Sequence, residues 1–318
     1  RVMQSLFQDK PKPWKDTYDI KFMFKLQNEY GLKKINKSTV RDLVDHLAAL
    51  NTKRPQTDWL GSLEWDQTPR LDTFLIDCLG VKDTAYTRAV SKNFWISLCA
   101  RIIRPGCKVD NMLILEGEQG IGKSKVLELI ADTEYYTEMS ESPKSKDFYQ
   151  CLKGKHIIEI GEMDAFIRTE DTTTKLAITR KVDEFRASYG RIVESHPRKC
   201  VFVGTTNETD YLRDFTGGRR YWPIQVTRIV LPAAAAKREQ LYAEAVHRLN
   251  AKESWWEVPE EAAEEQASRL NSDDWVDPIE SWLNERPYGT KVTTLDIAVG
   301  ALSMNKDKFN RMSQLRIG

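Results

Sequence analysis

The stretch from Asn111 to Asp132, NMLILEGEQGIGKSKVLELIAD, limits the fold more than any other part of the chain. Met112 to Leu115 is an apolar run of the length of a buried strand. From Ser124 onward Val126, Leu127, Leu129 and Ile130 recur at spacings that give a helix one apolar side. A glycine loop, G-x-x-x-x-G-K-S, joins the two. A strand that turns tightly into a helix belongs to an α/β chain, with a parallel sheet wrapped by helices. Gly117, Gly120 and Gly122 supply the bend and the close approach that let backbone N–H groups close around a phosphate, in front of the positive end of a helix. The nucleotide-binding set is Gly117, Glu118, Gln119, Gly120, Ile121, Gly122, Lys123, Ser124 and Lys125. Lys123 reaches the β- and γ-phosphates and the Ser124 hydroxyl sits on Mg²⁺, so the expected ligands are ATP and Mg²⁺. The plainer account is a glycine-rich turn ahead of an ordinary helix.

Such a site also needs a carboxylate near the end of a neighbouring strand, to hold the metal or polarise a water. KHIIEIGEMDAF offers one: Ile157, Ile158 and Ile160 make the strand, and Glu159, Glu162 and Asp164 lie on it or just past its end. Glu162, where the strand should emerge, is the first choice for the water-activating or metal-side acid, and Glu159 the second. A solvated strand end is the alternative. In KCVFVGTTNETDYL a β-branched strand stops at Thr205, Thr206 and Asn207, and an amide at a strand tip can hydrogen-bond the γ-phosphate or the attacking water. Asn207 is the candidate, against the common turn-forming role of Asn. DFTGGRRYWPI sets Arg219 and Arg220 between a Gly-Gly turn and a strand of large aromatics. A guanidinium there can reach a neighbouring subunit's γ-phosphate; pairing with Asp214 is the alternative.

Between the acid strand and the amide strand lies a basic segment, residues 175–199. Lys175, Arg180, Lys181, Arg186, Arg191, Arg198 and Lys199 face only Asp183, Glu184 and Glu194, an excess of four. The whole chain, with 48 basic and 47 acidic residues, is almost neutral, so any nucleic-acid surface must come from such clustering. Phe185 and Tyr189 interleave with the charges, and cations beside stacking faces suit a single strand bound without sequence preference. The expected DNA contacts are Lys175, Arg180, Lys181, Arg186, Tyr189, Arg191, Arg198 and Lys199. A solvated face is the usual fate of a charge run.

The rest of the chain divides by pattern. Residues 1–105 read as helical, a lid or collar, with KSTVRDLVDHLAALN capped by Ser or Thr and TAYTRAVSKNFWISLCARII continuing the periodicity. Residues 106–230 alternate strand and helix. Residues 231–318 are helical again, beginning LPAAAAKREQLYAEAVHRLN and ending in two helical patterns about a turn, as in a helix-turn-helix or winged-helix unit. The five cysteines lie far apart, without a C-x-x-C pair, as reduced buried thiols of a cytosolic protein do. No run approaches the roughly 20 apolar residues of a membrane span. The chain opens on Arg1 and stops at Gly318 within a patterned element, as expected of a piece of a longer polypeptide.

WDQTPRLDTFLIDCLG, PGCKVDNMLILEGEQGIGKSKVLELIA, ITRKVDEFRASYGR and PRKCVFVGTTNETDYLRDFTGGRRYWPIQV together resemble the virulence-associated protein E family, phage and mobile-element P-loop ATPases related to superfamily 3 helicases. The resemblance runs from about Leu63 to Val226, and the tail from Val292 is similar to the family's C-terminal end. It implies an α/β P-loop NTPase core of AAA+-like type, flanked by helical regions. It also implies assembly into a homo-oligomeric ring, usually a hexamer, that moves on single-stranded DNA during phage or island replication, and a primase or primase-polymerase domain in the full-length chain. Within it Gly117–Ser124 is the phosphate loop, Glu162 the acid, Asn207 the sensor amide, Arg219 or Arg220 the arginine finger, and residues 175–199 the pore-lining hairpin. The acids depart from the pattern: related helicases often carry two adjacent carboxylates, whereas Gly161 precedes Glu162 here and the other acid is Glu159.

The expectation is therefore an ATP-dependent DNA helicase or translocase acting in the cytoplasm of a bacterial host. A nucleotide-switched initiator or regulator, binding duplex DNA through the C-terminal helices, is the second reading. A P-loop kinase is the third; it needs neither an intersubunit arginine nor a basic hairpin.

Overall fold

The computed structural model describes residues 2–3, 12–50, 55–139, 145–161, 172–186, 193–208, 211, 220–269, 275–287 and 289–318. The chain forms two compact units, Arg1–Trp59 and Leu60–Gly318. The division falls at 59/60, whereas sequence patterning suggests one at 105/106.

In the first unit helices Asp16–Glu29 and Lys37–Leu50 pack together. Val40 and Val44 are buried, and Asp19 accepts a 2.7 Å bond from Trp14 Nε1. The second helix is capped two residues ahead of the Ser-Thr pair: Asn36 Oδ1 accepts from Thr39 N at 2.8 Å, as short polar side chains do at helix starts. Strands β1 (Val2–Met3) and β2 (Lys12–Pro13) pair antiparallel.

The second unit is a mixed α/β fold built on a parallel sheet. Its strands are β3 (Met112–Glu116), β4 (Tyr136–Met139), β5 (Ile157–Ile160), β8 (Val201–Thr206) and β9 (Tyr221–Gln225), in the order β4-β5-β8-β3-β9. The intervening β6 (Val182–Phe185) and β7 (Glu194–Pro197) form a separate antiparallel hairpin. Strands β3, β5, β8 and β9 lie where the apolar runs predict them; β4, in the mixed sequence YTEM, carries no such pattern. From β3 the chain travels outward to β4, returns through β5 and β8, and then crosses to β9 on the far side of β3. That reversal beside β3 is where open parallel sheets leave a crevice at the carboxyl ends of their strands.

The two faces follow the period of two along each strand. Met112, Ile114, Ile158, Ile160 and Phe202 pack with Phe148, Ala177, Ile178, Tyr211 and Tyr221 on one face. The opposite side is covered by helices Ala85–Ile103, Lys123–Ala131 and Leu231–Asn250, which pack on one another and on β4, β5 and β8. Helix Ala85–Ile103 is not a collar. Fourteen of its 19 residues are buried, and Trp95 meets Phe74 and Tyr242 edge to face at 5.1 and 5.2 Å. A helix buried on nearly all sides belongs in a core.

Strand β9 lies at the sheet's edge and carries Pro223, which the middle of a sheet would not accept. The Pro223 carbonyl accepts from Tyr86 OH at 3.2 Å and the Tyr221 carbonyl from Gln266 Nε2 at 2.8 Å. Toward the C terminus, helices Val276–Asn284, Thr294–Gly300 and Arg311–Ile317 pack in succession. Ten residues with a 3-10 turn at Lys306–Lys308 separate the last two, longer than the about three- to four-residue turn of a helix-turn-helix. All five cysteines are free thiols, and Cys151 is exposed, not buried as expected. Among the described residues no helix is long and apolar enough to cross a membrane.

Candidate nucleotide site

The glycine loop leaves β3 at Gly117 and enters helix Lys123–Ala131 at Gly122. A Cβ at position 117 would stand 2.6 Å from the Val226 carbonyl oxygen, so only glycine lets β9's exit pass this closely. Gly122 caps the helix at φ 105° and brings no side chain to its first amides, which remain available to an anion. Glu118, Gln119, Gly120, Ser124 and Lys125 are exposed, while Lys123 is 8 % exposed.

Lys123 turns back across the loop. Its ammonium donates to the carbonyls of Gly117 (2.6 Å) and Glu118 (3.0 Å) and to Asn207 Oδ1 (3.1 Å). Burial pushes its pKa below the ordinary lysine value, and the Glu159 carboxylate opposes the shift. The amide at the tip of β8 therefore touches the loop lysine, as the order of strands places it.

Glu159 is the acid that this geometry brings to the loop. It lies within β5 rather than past its end and is 1 % exposed. Its Oε1 accepts from Ser124 Oγ at 2.9 Å and from Thr205 Oγ1 at 2.7 Å, and its Oε2 from the Tyr136 hydroxyl. Burial, and then the bond to Glu159, raise the Tyr136 pKa, so the phenol stays protonated as the donor. Glu162, the first-choice acid, and Arg219 lie outside the described residues. Arg220 stands half-buried at the entry to β9.

The basic segment is partly the expected hairpin. Residues 182–185 and 194–197 pair antiparallel, with Asp183 opposite His196 and Phe185 opposite Glu194. Arg180, Lys181, Arg186 and Lys199 are exposed. Tyr189, Arg191 and the Lys175 side chain lie outside the described residues. Arg198 does not belong with the surface cations: it is 3 % exposed and ion-paired with Asp183, donating through Nε to Oδ2 at 2.9 Å and through Nη2 to Oδ1. Its Nη1 also donates to the carbonyls of Ala177 and Ile178, the last turn of helix Thr172–Thr179. Phe185 likewise faces inward, 4.5 Å from the His196 ring, and offers no stacking face to a base.

A family model, the Virulence-associated protein E-like domain, matches residues 60–274, well over half of the 318 residues. The chain belongs to that family. This virulence-associated protein E-like domain begins, within the chain, where the second structural unit begins. No curated protein matches the chain. Among solved structures it is similar to the apo C-terminal region of NrS-1, with 14 % identity over 80 % of this chain and 64 % of that one, at a TM-score of 0.48. An A-form apo structure of the same region gives 16 % identity over 81 % of this chain and 65 % of that one, also at 0.48. The chain thus spans just under two thirds of the length of those structures.

Three residues at the site are given no role by the sequence. Tyr136 lies on the unpatterned β4. Thr205 marks a strand end, but its role as a donor to Glu159 follows from β8 lying beside β5. Glu116, the residue before the loop, is 2 % exposed and held by Arg269 and Tyr211. An acid closing an apolar strand was the only signal for it.

Proposed function

We propose that this chain is the ATPase part of a ring-forming DNA translocase or helicase, of P-loop NTPase and AAA+-like type, that works on single-stranded DNA in the replication of a phage or mobile element. One observation carries the reading: Ser124, Glu159 and Thr205 on one side of the loop, and Lys123 and Asn207 on the other, converge at the carboxyl ends of β3, β5 and β8. The family adds support, since the chain resembles ATPases of mobile elements.

The donors fit the ligands. Ser124 Oγ and the Glu159 carboxylate are hard oxygens 2.9 Å apart, the set that Mg²⁺ takes from protein when substrate phosphates supply the rest. Mg²⁺, when bound, spreads the negative charge that phosphoryl transfer moves. Lys123 would exchange its carbonyl partners for phosphate oxygens and neutralise them. Asn207, already touching the ammonium, would orient the γ-phosphate or the attacking water. Glu162 is proposed to polarise that water, and Arg219 or Arg220 to reach the phosphate of a neighbouring copy. The exposed Arg180, Lys181, Arg186 and Lys199 would track the DNA backbone.

ATP hydrolysis measured with and without a single-stranded oligonucleotide tests the reading. The wild-type chain should hydrolyse ATP only with Mg²⁺, faster with DNA, and Lys123→Ala should fall to background while keeping its melting temperature. Equal turnover in Lys123→Ala would sink the nucleotide assignment. A rate indifferent to DNA would favour a switch over a motor.

A further inference from the structure

Ser124, Glu159 and Thr205 lie on the sheet face that carries helix Lys123–Ala131. Glu116 points the other way. It shares the face of Met112 and Ile114, since side chains alternate along a strand. There its carboxylate is 2 % exposed and fully engaged: Arg269 donates through Nε to Oε1 at 3.0 Å and through Nη2 to Oε2 at 3.0 Å, and Tyr211 OH donates to Oε1 at 2.7 Å. Arg269 follows helix Glu261–Ala267, which packs on β9, and it also engages the carboxylate of Glu265 and Ser268 Oγ at 2.7 Å.

Glu116 is covalently next to Gly117, whose carbonyl receives the Lys123 ammonium and whose N–H donates to Thr206 O at 3.1 Å. The loop is thus fastened from behind by a charged fork. A bidentate guanidinium is the strongest clasp a side chain can place on a carboxylate. Without it, a buried negative charge would stand one residue from the place proposed for phosphates, and in a poorly solvated site such a charge repels anions over several ångströms. An apolar residue at 116 would avoid that hazard. The acid instead makes the loop depend on a residue more than 150 positions away in sequence.

We propose that Arg269 is a positioning residue for the phosphate loop, acting through Glu116, so that the segment carrying Arg269 sets the chain's affinity for nucleotide. This rests on the nucleotide reading above. Displacing the 261–269 segment would unmask the Glu116 charge and release nucleotide without any change at the residues that touch it.

The test is a double-mutant cycle on the full chain, read as affinity for a fluorescent ATP analogue, with melting temperature followed in parallel. Arg269→Met should weaken binding by about tenfold or more, because Glu116 keeps its charge and loses its partner. Glu116→Gln should change it by less than about threefold, since Arg269 retains Glu265. The double variant should return to the Glu116→Gln level. Arg269→Lys keeps the charge without the fork and should weaken binding by several-fold with little loss of melting temperature; it decides the matter if Arg269→Met does not fold. Wild-type affinity in Arg269→Met or Arg269→Lys overturns the proposal, as does a double variant no tighter than Arg269→Met. If those variants bind normally while Lys123→Ala does not bind, only the Arg269 assignment falls. If Lys123→Ala binds as wild type does, both readings fall together.

Discussion

Glu159 collects three hydroxyls, from Ser124, Tyr136 and Thr205, on one buried carboxylate. On the proposed nucleotide reading, its contact with Ser124 suits it to the metal side, with Glu162 proposed for the water. Glu159→Gln should therefore lose the Mg²⁺ dependence of nucleotide binding, because an amide is a poor ligand for a hard cation. Glu162→Gln should still bind nucleotide in a Mg²⁺-dependent way and stop turning it over. A Mg²⁺ titration of nucleotide binding separates the two, and the reverse pattern would reverse the roles. At this scale the sequence is informative where the chemistry is contiguous. Gly117 to Ser124 is one uninterrupted loop, and Asn207 sits at a visible strand tip. It is silent where partners meet across the sheet, because neither Tyr136 nor the Thr205–Glu159 bond exists until β4, β5 and β8 lie side by side.

The hairpin separates its cations by face. Residues 183 and 185 on β6, and 196 and 198 along the other arm, share the inward side, so Arg198 meets Asp183 while Arg186 stays in water, as does Lys181 just ahead of the strand. Asp183→Ala should be costly: it strands a buried guanidinium, worth about 3–5 kcal/mol, and should lower the melting temperature by roughly 10 °C. Lys181→Ala with Arg186→Ala should change stability by less than about 1 kcal/mol, as exposed substitutions do. If these cations hold DNA, the pair should lower the slope of log K against log salt by about 1.4, at about 0.7 per phosphate contact on a single strand. Calorimetry and oligonucleotide binding at several salt concentrations check both halves, and an unchanged slope would place the DNA elsewhere. A count of basic residues cannot make this distinction. The period of two, applied outward from Phe185, sets Arg186 outward but would turn Lys181 inward, and Lys181 is exposed because it precedes the strand.

At the scale of the whole molecule, the parallel sheet buries His156 at the start of β5, 5 % exposed and stacked on Tyr135 at 4.6 Å. Burial, with Lys199 nearby, pushes its pKa down to about 4 from the ordinary 6.5. Between those values the unfolded chain binds the proton and the folded one does not, so stability rises with pH across the window. The contribution is fully present above about pH 6.5 and is lost as pH falls to about 4, amounting to about 3 kcal/mol. Chemical denaturation at several pH values in that range should show the loss, and His156→Asn should flatten it; an equal slope in both proteins would mean that other groups dominate. The order β4-β5-β8-β3-β9 is not written in any one segment. Strand and helix types follow from local periodicity, whereas strand order depends on which apolar faces meet. The boundary at 59/60 is illegible for a related reason: helices of both units look alike until Ala85–Ile103 is seen inside the core.

The edge strand has a consequence for assembly. Pro223 brings no amide hydrogen to β9, and the carbonyls of Tyr221 and Pro223 are already taken by Gln266 and Tyr86. A second copy would find the ladder interrupted at these groups, and a blunted edge of this kind resists sheet-to-sheet fusion. Copies that met along this border would have to join through side chains alone. Such a seam could part and re-form while the backbone ladders inside each copy stayed whole.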